Sequence, residues 1–75
     1  MPRFHFDVCT DGVTAQDHEG VDLPSAEAAQ FEAARAAVQM LRERAERKAE
    51  RADISIAVRD GTEPVCTVEV AFKVR

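Results

Sequence analysis

The stretch SAEAAQFEAARAAVQMLRERAERKAER, residues 25–51, decides the fold of this chain. It contains neither glycine nor proline, and it is rich in alanine, glutamate and arginine, which favour a helix. The hydroxyl of Ser25 can accept a hydrogen bond from a free amide of the first turn. We therefore predict one long helix over residues 25–51, with Ser25 as its N-cap.

The predicted helix is amphipathic, because its apolar side chains recur at spacings of three and four residues and so share one face. These side chains are Phe31, Ala34, Val38, Leu41 and Ala45, and the stripe is widened by Ala33, Ala37 and Met40. We expect this stripe to pack against the rest of the domain. Beyond Leu41 only alanines continue the stripe, and a helix of this length is longer than a strand of about eight residues. Residues 42–51 are therefore expected to project past the sheet as a solvated helix end.

Both flanks of the helix alternate apolar and polar residues, which is typical of strands with one buried face. The predicted strands are residues 3–9, a weak strand 13–16, 53–59 and 64–74. Together with the helix they predict an α+β fold, a ββαββ two-layer sandwich in a single domain over residues 1–75. One long helix packs on one face of a four-stranded, mainly antiparallel sheet. Placing the first strand between the second and the third makes every neighbouring pair antiparallel.

Four segments of the chain resemble a family of small uncharacterised bacterial proteins, a domain of unknown function. The segments are PRFHFDV, DG, DHEGVDLPSAEAA and AVRDG. Members of that family typically open with Pro-Arg-Tyr/Phe-Phe-Phe-Asp and continue through a Glu-Gly-x-x-Leu-Pro segment into an alanine-rich helix. This chain departs from the pattern at His5 and Cys9. The resemblance implies a free-standing bacterial protein, and it implies no activity and no catalytic residues.

The chain is short, with 75 residues, a net charge of −4 and two cysteines. A core of this size contributes no more than about 3–5 kcal/mol, so small domains often rely on a partner. We therefore predict self-association as a homodimer, and a protein partner that the sequence does not identify. The start MPRFHFDV lacks the apolar region of a signal peptide, and no segment reaches the roughly 20 apolar residues of a membrane span. The resulting expectation is a cytoplasmic protein that does not bind membranes.

Imidazole, carboxylate and thiolate groups alternate along the first strand, at His5, Asp7 and Cys9. All three are zinc ligands, but successive residues on one strand face lie about 7 Å apart. Solvent-facing strand residues are therefore favoured over a metal site, and no cofactor is predicted. Cys66 falls on the apolar register of its strand and Cys9 on the polar register of its own. We expect the two thiols on opposite faces, which argues against a disulfide.

An acidic loop carries Asp11, Asp17, Glu19 and Asp22. These carboxylates could bind calcium, but the spacing of an EF-hand loop is absent, so a solvated loop near the positive end of the helix is favoured. Thiol catalysis needs a histidine and an orienting third group beside the cysteine. His5, four residues before Cys9 on the same strand face, could approach the thiol, but no pocket is evident in so small a domain. The sequence therefore predicts a protein that is not an enzyme.

The most basic part of the chain is residues 42–51, with five basic and three acidic side chains. We predict that its basic residues form an interaction surface. They are Arg42, Arg44, Arg47, Lys48 and Arg51. The favoured function is a small non-enzymatic module for protein interaction or assembly. The alternative is an antitoxin-like regulator that uses this segment on nucleic acid, although the overall acidity argues against general nucleic-acid binding.

Overall fold

The computed structural model describes residues 1–75, which form one sheet and one helix in two layers. The elements in chain order are β1 (Arg3–Thr10), β2 (Val13–Ala15), β3 (Val21–Asp22), α1 (Ala26–Glu46), β4 (Arg51–Asp60) and β5 (Glu63–Lys73). The predicted α+β fold, with one helix packed on an antiparallel sheet, is confirmed.

The sheet contains one strand more than predicted. Four strands lie in the order β2-β1-β4-β5, and the short strand β3 also pairs with β1. All of these pairs are antiparallel. Because β4 occupies one edge of β1, β2 and β3 share the other: β2 pairs with residues 8–10 of β1, and β3 pairs with Arg3 and Phe4. A strand of two residues is too short to show an alternating pattern, so sequence reasoning missed it.

Two-residue turns close both hairpins. Asp11 and Gly12 join β1 to β2, and both residues have positive φ angles of 51° and 87°. This is the backbone of a type I′ turn, for which Asp-Gly is a preferred sequence because glycine tolerates positive φ at no steric cost. Gly61 and Thr62 join β4 to β5.

The helix begins as predicted and ends earlier than predicted. The Ser25 hydroxyl accepts a hydrogen bond from the Ala28 N–H at 3.1 Å, which confirms the N-cap. At the other end Lys48 adopts a left-handed conformation with φ of 62°. Its N–H donates to the Ala45 carbonyl, and the next N–H, from Ala49, donates to the Arg44 carbonyl. This is a Schellman motif, which usually uses glycine.

The predicted extension of the helix to residue 51 is therefore wrong. The helix ends at Glu46, and Arg51 is the first residue of β4. The pairing of β4 with β5 already begins just before Arg51, since the Val74 N–H donates to the Glu50 carbonyl at 2.7 Å. The predicted solvated helix end over residues 42–51 is therefore not helical beyond Glu46, because the chain turns back to pair β4 with its neighbours.

The core lies between the sheet and the alanine-rich face of α1. Its fully buried side chains are Phe4, Ala29, Ala33, Ala37, Ala52, Ile54, Ile56 and Val58. Phe6, Val8, Val68 and Val70 pack against them from the sheet. The strand residues in this core agree with the alternation in the sequence.

The helix residues in the core are not the large ones of the predicted stripe; Ala33 and Ala37, predicted only to widen the apolar face, lie there together with Ala29. Ala29, Ala33 and Ala37 are each 0% exposed, whereas Phe31 is 65% and Val38 is 49% exposed. The prediction that Phe31 and Val38 fasten the helix to the sheet is therefore wrong. The sheet already supplies the bulky side chains, and small alanines let the helix backbone lie close enough to bury them.

Candidate interaction surface

The outward side of α1 carries the largest unburied apolar side chains of the helix. Phe31 is two residues away from both Ala29 and Ala33, which is a rotation of about 200° around the helix axis. Val38 lies seven residues after Phe31 and therefore on nearly the same side. We call this surface the outer helix face. It consists of Glu27, Phe31, Ala34, Arg35, Val38 and Arg42.

A shallow open groove runs along the outer helix face beside Val38. Its lining residues are Ala34, Arg35, Val38, Gln39, Arg42, Glu43 and Glu46. Single exposed apolar residues are ordinary on a protein surface, whereas a row of them along one face makes that face a candidate interaction site. Phe31 and Val38, two turns apart with Ala34 between them, form such a row.

The charged residues of this face are largely free of partners within the chain. Four ion pairs form in the protein, and neither Glu27 nor Arg42 belongs to any of them. Arg35 pairs with Glu32 one turn earlier. A carboxylate near the start of the apolar row and a guanidinium near its end therefore remain available to a partner molecule.

The five basic residues predicted as an interaction surface do not share one face. Arg42 lies on the outer helix face, and Arg44 turns towards the sheet side, where it donates to Asp11 at 2.7 Å. Arg47 is the C-cap of the helix, and Lys48 follows it in the left-handed cap conformation. Arg51 lies in β4 opposite Lys73. Only Arg42 adjoins the apolar row.

A second group of polar residues lies at the edge of β1, in the gap between β2 and β3. The Asp17 carboxylate accepts hydrogen bonds from the backbone N–H groups of Phe6 at 3.0 Å, Glu19 at 3.1 Å and Gly20 at 3.0 Å. The bonds from Gly20 and Phe6 are the main reason that the pKa of Asp17 lies below its usual value. Asp17 thus takes the place of a neighbouring strand and satisfies an edge amide.

Asp7 and Arg59 connect this edge to β4. Arg59 donates to Asp7 at 2.9 Å and to the Asp17 carbonyl at 2.8 Å. Asp7 in turn accepts the Asp17 N–H at 2.9 Å. The hydrogen bond from Arg59 lowers the pKa of Asp7. Every charged group in this cluster has a partner inside the chain, so the cluster has a structural role.

His5 lies beside this cluster, close to Gly20. Gly20 has a φ of 76°, and a Cβ atom there would lie 2.7 Å from Cγ of Arg3 and 3.0 Å from Nε2 of His5. Only glycine fits, because both the backbone angle and the space exclude a side chain. Nδ1 of His5 is buried without a hydrogen-bond partner. No group of three His, Cys, Asp or Glu residues is placed to hold a metal ion.

The two cysteines lie on opposite faces of the sheet, as predicted. Cys9 is opposite Ser55 and Thr14, away from the helix. Cys66 is opposite Val58 and packs against the core. Both are free thiols that are half-buried, and the sheet between them prevents a disulfide within one chain.

The acidic residues of the loop do not converge. Asp11 accepts from Arg44, and this hydrogen bond lowers its pKa. Asp22 accepts from Arg3 at 3.0 Å, which lowers the pKa of Asp22 in the same way. The sequence did not reveal the edge role of Asp17, although aspartate commonly accepts from the N–H two residues on in an Asx turn, as Asp17 does from Glu19.

The fold and this surface define a small α+β domain with an apolar helix face open to solvent. The chain belongs to a family: the family model DUF6894, a domain of unknown function, matches residues 3–71. The resemblance to a domain of unknown function is thereby confirmed for nearly the whole chain. No curated protein and no solved structure matches the chain. The single helix could not span a lipid bilayer.

Proposed function

We propose that this protein is a small non-enzymatic module for protein interaction or assembly, and that it acts as a homodimer through the outer helix face. The observation that supports this proposal is the exposure of Phe31 and Val38 on a helix whose buried side is made of alanines. The fold does not use these two side chains, since neither belongs to the core.

Burial of Phe31 and Val38 at a dimer interface contributes binding free energy. Full burial of a phenylalanine or valine side chain stabilises a complex by about 1.5–3 kcal/mol each. A few well-packed and fully desolvated side chains near the centre of an interface supply most of its binding energy. A small domain with a limited core also gains stability from a folded partner.

The oligomeric state tests the proposal. Sedimentation equilibrium over a range of concentrations is expected to show a dimer. Phe31→Ala is expected to weaken dimerisation at least about 30-fold, because each of the two copies loses an anchor residue. Alanine favours helix, so Phe31→Ala leaves the monomer folded by circular dichroism.

The matched control is Val13→Ala. Val13 is 74% exposed but lies in β2, at the edge of the sheet and away from the helix. Val13→Ala is expected to leave the dissociation constant of the dimer unchanged. A wild-type protein that has the mass of one chain at every concentration contradicts the proposal.

The nucleic-acid alternative has less support. The basic residues are spread over the helix face, the helix cap and β4, and Arg44 is already paired with Asp11. A basic patch on one surface is what phosphate recognition requires. A salt-dependent gel shift of DNA or RNA that is lost in Arg42→Ala and Arg47→Ala would support the alternative instead.

A further inference from the structure

We propose that two copies pair their α1 helices antiparallel about a two-fold axis between Ala34 and Arg35, with Glu27 of each copy bound to Arg42 of the other. This inference rests on the proposed function and specifies its partner, which is a second copy, and its geometry. It follows from the order of residues along the outer helix face.

The order is symmetric about one point. Phe31 and Val38 are equally far from the midpoint between Ala34 and Arg35, and so are Glu27 and Arg42. Reversing one helix about this midpoint therefore places Phe31 against Val38 of the second copy, twice. A two-fold interface requires such self-complementarity, because each contact must occur in both directions.

The charges select the antiparallel direction. In the antiparallel pair the unpaired Glu27 carboxylate meets the unpaired Arg42 guanidinium at both ends of the apolar row. In a parallel pair, Glu27 would face Glu27, and Arg42 would face Arg42. Like charges opposite one another disfavour an arrangement, so the same residues that stabilise one direction oppose the other.

The packing is also compatible with close contact. Ala34 lies next to the axis, and a small residue there lets two helices approach to the usual interaxial distance of about 8–10 Å. Arg35, equally close to the axis, keeps its ion pair with Glu32 of the same copy, which offsets the repulsion between the two Arg35 side chains. The sheet covers the opposite side of the helix, since Ala29, Ala33 and Ala37 are buried against it. Nothing in the fold therefore blocks a second helix from the outer face.

A charge exchange tests the geometry. Glu27→Arg and Arg42→Glu are each expected to weaken dimerisation about tenfold, because symmetry turns one exchange into two repulsive pairs. The double variant, with both exchanges, is expected to return to within about twofold of the wild-type dissociation constant. Glu69→Arg, the same change of charge on an exposed residue of β5, serves as the control and is expected to have no effect.

The outcomes separate this inference from the proposed function. If the single variants and the double variant all dimerise like the wild type while Phe31→Ala does not, the interface stands and the antiparallel register is wrong. A double variant no stronger than the single ones also overturns the register. A wild-type protein that stays monomeric overturns both proposals.

Cysteine cross-linking gives an independent measurement. In a Cys9→Ser, Cys66→Ala background, Ala34→Cys is expected to form a disulfide dimer rapidly, because the two positions lie beside the axis. Glu27→Cys is expected not to cross-link, since its two copies are about 22 Å apart along an antiparallel pair at about 1.5 Å per residue. Rapid cross-linking at both positions would indicate a parallel pair.

Discussion

The two faces of α1 differ in burial, and the buried face is the one with the smaller side chains. The inner face, with Ala29, Ala33 and Ala37, is fully buried, and the outer face, with Phe31 and Val38, is largely open to solvent. Burial on this helix therefore does not follow hydrophobicity. It follows from the sheet, whose own large side chains leave room only for small ones above them.

The inner face of α1 holds the helix to the sheet, whereas the outer face leaves its apolar side chains open to a partner. In the core, Phe4, Ile54, Ile56 and Val58 supply the apolar area from the strands, and the helix supplies a close backbone. The apolar area of Phe31 and Val38 contributes little to the isolated chain. We expect substitutions on the inner face to change folding, and substitutions on the outer face to change association.

The largest effect is expected from enlarging the inner face. Ala33→Leu inserts three heavy atoms where the native side chain is 0% exposed, and overpacking of this kind costs about 1–3 kcal/mol. The helix must then move away from the sheet. Urea denaturation at low protein concentration, where the chain is monomeric, measures the loss.

Ala45→Leu is the matched control for this prediction. Ala45 is exposed near the end of the helix, so the same substitution there is expected to change the free energy of unfolding by less than about 0.5 kcal/mol. Equal losses in the two variants would show that the faces do not differ in packing.

An intermediate effect is expected at the edge of β1, which stabilises the sheet under the helix. Asp17→Asn keeps the size of the side chain but removes a charged acceptor of backbone N–H groups, at a cost of about 1–2 kcal/mol near pH 7. The comparison variant is Glu43→Gln, an exposed residue of the helix, which is expected to leave stability unchanged.

Asp17→Asn is also expected to change how the free energy of unfolding depends on pH. The pKa values of Asp7 and Asp17 are lower in the folded protein than in the unfolded chain, where the pKa of aspartate is about 3.9. The unfolded chain then binds more protons as the pH falls, so their stabilisation is complete above about pH 4 and is lost below it. Unfolding free energies measured from pH 6 to pH 2.5 should decline less steeply for Asp17→Asn than for the wild type, with Glu43→Gln as the control for the removal of one carboxylate.

The smallest effect is expected from the contact that ties the end of the helix to the sheet. Arg44 reaches from the inner side to Asp11, which also accepts the Asp53 N–H at 3.1 Å. This pair is partly exposed, so Arg44→Ala is expected to lower the urea midpoint only slightly. Arg42→Ala, on the outer face, should leave the midpoint of the monomer unchanged; a larger shift for Arg42 than for Arg44 would contradict the assignment of the two faces.

Much of the fold was predictable from local patterns. The alternation in β1, β4 and β5 predicted which strand residues face the core, and Ser25 was correctly predicted as the N-cap. The end of the helix was not predictable in the same way, because Lys48 occupies the cap position that glycine usually takes.

The surface was less predictable than the fold. Phe31 and Val38 are large apolar residues at helical spacing, a pattern that predicts positions in the core. Alanines at positions 29, 33 and 37 recur every four residues as well, but each is small, so the pattern has little weight against a phenylalanine. Of the five basic residues predicted to interact, only Arg42 lies on the outer helix face.

Local chemistry thus accounts for the elements of this protein, since alternation, helix propensity and the N-cap act within a few residues. Which side of α1 meets the sheet depends on the volume left by residues of β1, β4 and β5 that are far away in the chain. That volume exists only once the sheet has formed. For this reason the stripe from Phe31 to Val38, part of the stretch over residues 25–51, belongs to the surface and not to the core.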